Sequence, residues 1–193
     1  MTMDSAAQGP TGGRVLVLQQ ITGLLSNDFT IEDQHGEPVA QVHTRGSGLS
    51  RFFLGSRRFE ITDLQDRLLF QVQDTVTFGR DRFQITDADG QSLAQIVQRI
   101  TFFRKEVDVS VVDGTTLRLR GDLFGFDFEI LAEERRVATV SRKWSGLGRA
   151  LLGRSTYALE LDPEMPETIR YATLGSVIAL DLIRAKANRR RSD

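Results

Sequence analysis

Hydrophobic and polar residues alternate from Arg14 to Leu161, and this period of two is typical of β-strands with one buried face. Short turns divide the alternation into about twelve segments. The predicted strands cover 15–21, 28–33, 37–43, 58–63, 67–74, 82–87, 92–99, 106–112, 115–120, 124–131, 135–143 and 155–161. Because a sheet of this many strands curls or closes and so removes its edges, we expect a closed antiparallel barrel.

One phrase occurs three times within this alternation. Two copies start at Phe29 and Phe83, and each runs through an alternating strand into a turn that contains Asp and ends in Gly. The third copy starts at Phe59 and lacks the Gly. Each copy continues into a second alternating strand, which predicts a β-hairpin. If the strands run up and down, the tight turns of all the hairpins share one end of the barrel.

The pattern changes after Leu161. The segment Asp162–Pro166 breaks the last strand, and residues 168–185 then read as a helix that is apolar around nearly its whole circumference. Its uninterrupted apolar part ends at Asp181, which is short of the roughly 20 residues that a membrane span needs. Since a barrel of about twelve strands has a lumen too wide for its own side chains, we predict that this helix lies inside the barrel.

Composition limits the classes of protein to which the chain can belong. The 193 residues are 40% hydrophobic and 26% charged, which fits one globular domain at 14–185 between a disordered leader, 1–13, and a basic disordered tail, 186–193. A net charge of −1 argues against a nucleic-acid partner. The absence of cysteine excludes disulfides, thiolate metal sites and cysteine nucleophiles. The leader does not resemble a secretory signal, so we expect a cytoplasmic protein.

Five segments in a fixed order carry a family resemblance. They are Phe83–Gly90, Leu119–Phe124, Val137–Trp144, Tyr157–Leu161 and Val177–Asp181. With them the chain resembles the LURP-one-related family, and the resemblance implies the tubby C-terminal-like fold, an all-β barrel of twelve strands around one central helix. It also implies a relation to tubby proteins, which bind phosphoinositides, and to phospholipid scramblases. The chain lacks the Cys-rich segment of scramblases and a convincing calcium loop before its helix.

No catalytic constellation is visible. The two histidines, His35 and His43, accompany no nucleophile motif, and the opening of a calcium loop at 87–90 lacks its closing Glu. Asp181 lies on the buried helix, where a costly buried carboxylate could mark a functional site; the favoured alternative is that it reaches an arginine at the barrel mouth, a backbone N–H or solvent. The sequence therefore predicts a protein that is not an enzyme and that holds no metal and no cofactor.

The connections between hairpins carry arginine, lysine and large apolar residues, whereas the tight turns carry mostly Asp and Glu. Cations with apolar tips suit a peripheral membrane surface. The candidate lipid- or partner-binding residues are Arg51, Arg57, Arg58, Arg104, Lys105, Lys143, Trp144, Leu147, Arg149, Leu151, Leu152 and Arg154. In the alternative, the aromatic and aliphatic residues of these connections fold inward and cap the barrel.

Three functions remain open from the sequence. The first is a non-enzymatic domain that binds anionic phospholipid or phosphoinositide as a monomer at the inner membrane surface. The second is a scaffold that meets an unknown protein partner through the same surface. The third is a phospholipid scramblase-like activity.

Overall fold

A computed structural model of the chain describes residues 14–19, 28–45, 58–77, 80–98, 106–142 and 156–189. Within these ranges the chain forms twelve strands and one helix. Their bounds are β1 (Val15–Gln19), β2 (Phe29–Asp33), β3 (Pro38–Arg45), β4 (Arg58–Thr62), β5 (Leu68–Thr77), β6 (Arg80–Asp87), β7 (Ser92–Gln98), β8 (Glu106–Val111), β9 (Thr116–Asp122), β10 (Asp127–Ala132), β11 (Arg135–Ser141), β12 (Thr156–Leu161) and α1 (Glu167–Arg189).

The strands form one closed antiparallel barrel, as the alternation predicts. Each strand pairs with its neighbours in the sequence, and β1 closes the barrel by pairing with β12, where Leu16 lies opposite Leu159. The predicted and observed strand bounds agree within a few residues. The largest differences are at the end of β5, which extends to Thr77, and at the start of β10, which begins at Asp127 because residues 123–126 form a turn.

Helix α1 fills the barrel, which confirms the prediction of a central helix. Its side chains are buried without interruption from Ile169 to Ile183, on every side of the helix. The ring of Tyr171 stacks on that of Phe70 in β5, with 5.0 Å between the centroids. The helix continues beyond the predicted end at 185 to Arg189. Across the described residues, no helix combines the length and apolarity needed to cross a membrane.

The repeated phrase builds three equivalent hairpins, β2–β3, β4–β5 and β6–β7. Ile31, Ile61 and Ile85 hold the same inward position in the three copies, and each is fully buried. The strand register shifts directly after each of these isoleucines, so each copy carries a bulge just before its turn. A bulge bends and twists the strand, which helps a sheet to curve into a barrel.

The Asp of each phrase closes its turn. Asp33 Oδ1 accepts hydrogen bonds from the backbone N–H groups of His35 at 2.7 Å and Glu37 at 3.0 Å. Asp63 and Asp87 accept the same two bonds from the N–H groups two and four residues further along the chain. This side chain mimics a backbone turn. Asp87 is therefore a turn residue, which agrees with the missing calcium-loop ligands after it.

The last residue of each turn adopts a left-handed conformation. Gly36 and Gly90 have φ values of 83° and 80°. In the copy that lacks Gly, Asp66 occupies the same position with φ 59°. Glycine enters this region without steric cost, whereas a residue with a Cβ does not.

Helix α1 approaches β6 closely at one glycine. A Cβ built on Gly175 would lie 2.8 Å from Cδ1 of Ile85 and 3.1 Å from both Cγ1 and Cγ2. Rotation of the terminal methyl alone cannot clear all three atoms. The glycine therefore sets the distance between the helix and this strand.

Replacing Asp66 by Gly should raise the free energy of unfolding by about 0.5 to 1 kcal/mol, since it relieves a left-handed residue that has a Cβ. The reciprocal change, Gly90→Asp, should lower it by a similar amount, because nothing lies within 4 Å of a Cβ at Gly90 and the backbone conformation alone is tested. Urea denaturation of both variants measures these differences. A loss of stability in Asp66→Gly would contradict the assignment of strain to Asp66.

Replacing Gly175 by Ala should lower the free energy of unfolding by about 1 to 2 kcal/mol despite the better helix propensity of Ala, because the new methyl overpacks the core. In an Ile85→Val background, which lacks Cδ1, the same change should cost clearly less. A double-mutant cycle by urea denaturation measures the coupling. Equal costs in both backgrounds would show that Ile85 does not limit the helix position.

Candidate functional site

The two ends of the barrel differ in their connections. The turns of the hairpins and the start of α1 lie at one end, here called the turn end. The opposite strand ends, the β9–β10 connection and the end of α1 lie at the other, the link end. The turn end is rich in carboxylates, as the sequence predicts. Its described acids include Asp33, Glu37, Asp63, Asp66, Asp87, Asp89, Asp113, Glu133, Glu134, Asp162, Glu164 and Glu167.

Most of the predicted binding residues lie outside the described residues and stay predictions. They are Arg51, Arg57, Arg104, Lys105, Lys143, Trp144, Leu147, Arg149, Leu151, Leu152 and Arg154. Arg58 is described: it begins β4 at the link end and is exposed. It lies opposite Arg45 of β3, whose Nε donates to Glu60 Oε2 at 2.8 Å.

The connection between β9 and β10 folds into the link end of the barrel. Phe126 is fully buried, and its ring stacks on that of Tyr157 from β12 at a centroid distance of 4.3 Å. Phe126 has φ 56°, a conformation that is uncommon for a residue with a large side chain and costs free energy. Phe124 of the same connection is also packed against the core. At this connection the inward-capping alternative is therefore correct.

Two arginines meet at the buried Phe126 ring. The Cζ atom of Arg142, directly after β11, lies 5.7 Å from the ring centroid, and that of Arg184, on α1, lies 5.2 Å from it. Both distances allow a cation–π interaction. The helix, the end of β11 and the β9–β10 connection thus converge on one point, and we call Arg142 and Arg184 the arginine pair.

A buried carboxylate lies beneath the arginine pair. Asp181 is 1% exposed, and its Oδ1 lies 3.9 Å from Nη1 of Arg184, one helical turn away. Of the partners expected for Asp181, an arginine is present, at ion-pair distance but without a hydrogen bond to Oδ1. Burial, and then the negative charge of Asp181, raise the pKa of Tyr157 well above its usual value. The phenol stays protonated at all ordinary pH values.

Arg142 is held at a cost in free energy. Its Nε atom is buried and has no hydrogen-bond partner among the residues that the structure describes. Burial, followed by repulsion from Arg184, lowers the pKa of Arg142. A lowered pKa means that folding disfavours the charged form, while Asp181 and Asp122 offset only part of this effect. An anion that accepted a hydrogen bond here would supply the missing partner of Nε and offset the repulsion between Arg142 and Arg184.

The described residues offer little else as a chemical centre. No group of three or more His, Asp or Glu side chains among them converges as metal ligands would. His43 Nδ1 lies 3.3 Å from Asp28 Oδ2, and His35 sits in the turn that Asp33 closes. The arginine pair differs from these histidines because Nε of Arg142 lacks an acceptor among the described residues and its two cations repel each other, which suits an anionic ligand.

The sequence analysis did not identify the arginine pair, although the alternation along β11 indicates the position of Arg142. Ala138 and Val140 are inward-facing residues of β11, so the alternation of two places Arg142 on the inner face as well. Arg184 lies one turn after Asp181 on a helix already predicted to be buried. Phe126 had no such signal, because its position depends on a turn that the alternating pattern reads as strand.

The family comparison covers nearly all of the described barrel. A family model described as LURP-one-related matches residues 14–174, which is well over half of the chain. No curated protein and no solved structure gives a significant match.

Replacing Arg142 by Gln should leave the free energy of unfolding unchanged or raise it by up to about 1 kcal/mol, because it removes a charge that folding disfavours. Arg120→Gln, on an exposed arginine of β9, is the matched control and should change it by less than about 0.5 kcal/mol. Asp181→Asn should lower it by about 3 kcal/mol, since Arg184 loses its nearby carboxylate. Urea denaturation measures all three, and a loss above about 2 kcal/mol in Arg142→Gln would assign Arg142 a structural role.

Proposed function

The chain belongs to the LURP-one-related family, and on that premise we propose that it is a non-enzymatic domain that binds anionic phospholipid at the cytoplasmic membrane surface. The link end faces the membrane, and the arginine pair contacts a phosphate group. The protein acts as a monomer and needs no cofactor.

The arginine pair is the observation that carries this proposal. Arg142 and Arg184 both lie over Phe126, and the buried Nε of the half-buried Arg142 lacks a described partner, which is costly unless a ligand supplies an acceptor. Guanidinium groups match phosphate oxygens in geometry and charge. A phospholipid headgroup would supply the acceptor oxygens and the negative charge together.

Further cations near the same end support this choice of surface. Arg58 is exposed at the start of β4, and Arg82 is exposed in the part of β6 that lies nearer the link end. Each cation close to an anionic membrane surface contributes about 1 kcal/mol to binding. Exposed arginines can therefore add attraction to a specific contact made by the arginine pair.

The acidic turn end supports the orientation. The described carboxylates at this end outnumber its arginines, which include Arg14, Arg67, Arg135 and Arg136. An anionic surface repels this end and favours approach through the link end. The described link end also carries acids, among them Asp28, Glu106, Asp122 and Asp127. Repulsion of the turn end alone therefore supports this orientation.

Co-sedimentation with vesicles tests the proposal. Arg142→Gln combined with Arg184→Gln should weaken binding to anionic vesicles about thirty-fold, since two contributions of about 1 kcal/mol are lost. The matched control, Arg14→Gln combined with Arg136→Gln, makes the same charge change at the turn end and should alter binding less than about two-fold. Binding should also fall as the salt concentration rises.

Three outcomes would contradict the proposed lipid-binding function or indicate a different one. Equal binding of the native protein to anionic and neutral vesicles, or none to either, would contradict a function in anionic-lipid recognition. Equal losses in the two double variants would show that total charge rather than the arginine pair decides binding. Transfer of labelled lipid between leaflets by the bound protein would indicate scramblase activity instead of simple binding.

A further inference from the structure

Two interfaces between neighbouring strands, here called seams, are short because they have few paired residues. Neighbouring strands such as β5 and β6 remain paired along their length, up to Thr77 opposite Arg80 at the link end. In contrast, the described pairing of β7 with β8 stops at Gln95 opposite Ser110. The described pairing of β1 with β2 stops at Val17 opposite Glu32.

Both short seams end before the link end. Beyond the last pair of the β7–β8 seam, Ile96 and Val109 are described and buried but are not paired with each other. Beyond the last pair of the β1–β2 seam, the same holds for Leu18 and Ile31. Each strand keeps its pairing with the neighbour on its other side.

The two short seams divide the barrel into equal parts. Strands β2–β7 lie between them on one side, and β8–β12 together with β1 lie on the other, six strands in each part. The first part consists of the three copies of the repeated phrase, and we call it the repeat half. The other part is called the closing half. The seams are therefore on opposite sides of the barrel.

Helix α1 contacts both halves in different ways. Near its start and middle, Tyr171 stacks on Phe70 and Gly175 packs against Ile85, and both partners belong to the repeat half. Near its end, Arg184 lies over Phe126, which belongs to the closing half. The arginine pair thus spans the boundary between the halves, with Arg142 on the closing half and Arg184 on the helix.

We propose that the barrel opens at its link end by separation of the repeat half from the closing half along both short seams, with α1 remaining on the repeat half. The backbone hydrogen bonds between neighbouring strands must break before the halves can separate. The seams with the fewest of these bonds therefore open at the lowest free energy. The two described pairs that hold each seam break as the halves separate, so a covalent link at one of these pairs prevents the opening.

Opening changes the distance between the two arginines. Arg184 moves with the helix and the repeat half, while Arg142 and Phe126 stay with the closing half. This consequence for the site rests on the proposed lipid function, whereas the opening itself does not. An anion held by both arginines would favour the closed barrel.

Hydrogen exchange in a chain stapled across one seam tests the opening. The chain has no cysteine, so Gln95→Cys with Ser110→Cys introduces one disulfide between exposed, paired positions of β7 and β8. In the oxidised protein, peptides covering β1 and β2 on the opposite side should exchange at least ten-fold more slowly than in the reduced protein. Separation of the halves requires both seams, so a staple in one protects the other.

The control staple lies inside the repeat half. Gln73→Cys with Gln84→Cys joins paired, outward-facing positions of β5 and β6 and should leave exchange in β1 and β2 within two-fold of its reduced form. It corrects for any general effect of a disulfide on unfolding. Unchanged exchange in β1 and β2 with the seam staple, or equal slowing by both staples, would overturn the proposal. Neither readout involves lipid, so these outcomes are separate from failure of the vesicle experiment.

Discussion

Burial of α1 inside the closed barrel is the constraint on which the rest of the structure depends. A barrel of twelve strands leaves a lumen that its own side chains cannot fill, and a helix apolar on all sides has no stable place in water. The helix fills the lumen of the barrel, and the barrel shields the apolar side chains of the helix from water. The close contact at Gly175 and the stacking of Tyr171 on Phe70 follow from this fit.

The same constraint creates the candidate site. A helix that fills the barrel must emerge at one end, and there its polar residues meet the rim. Asp181 and Arg184 are carried to this point by the helix, while Arg142 and Phe126 reach it from the strands. One carboxylate and two guanidiniums crowd around one aromatic ring, so the site keeps a positive charge that a phosphate can neutralise.

The sequence predicts the barrel well because its signals are local and repeated. The period of two marks each strand, and the Asp of each repeated phrase closes its own turn, so neither depends on distant contacts. The arginine pair depends on contacts between residues far apart in the chain. Phe126 adopts a left-handed conformation that only the surrounding packing enforces, and no local pattern indicates it.

The emission of Trp144 tests the central claim most directly. Trp144 is the single tryptophan of the chain, and it follows the Arg142 of the pair by two residues. If the link end meets the membrane, anionic vesicles should shift this emission to shorter wavelength, neutral vesicles should not, and salt should reverse the shift. Binding to anionic vesicles without any change in the emission of Trp144 would contradict contact through the predicted binding residues that follow Arg142.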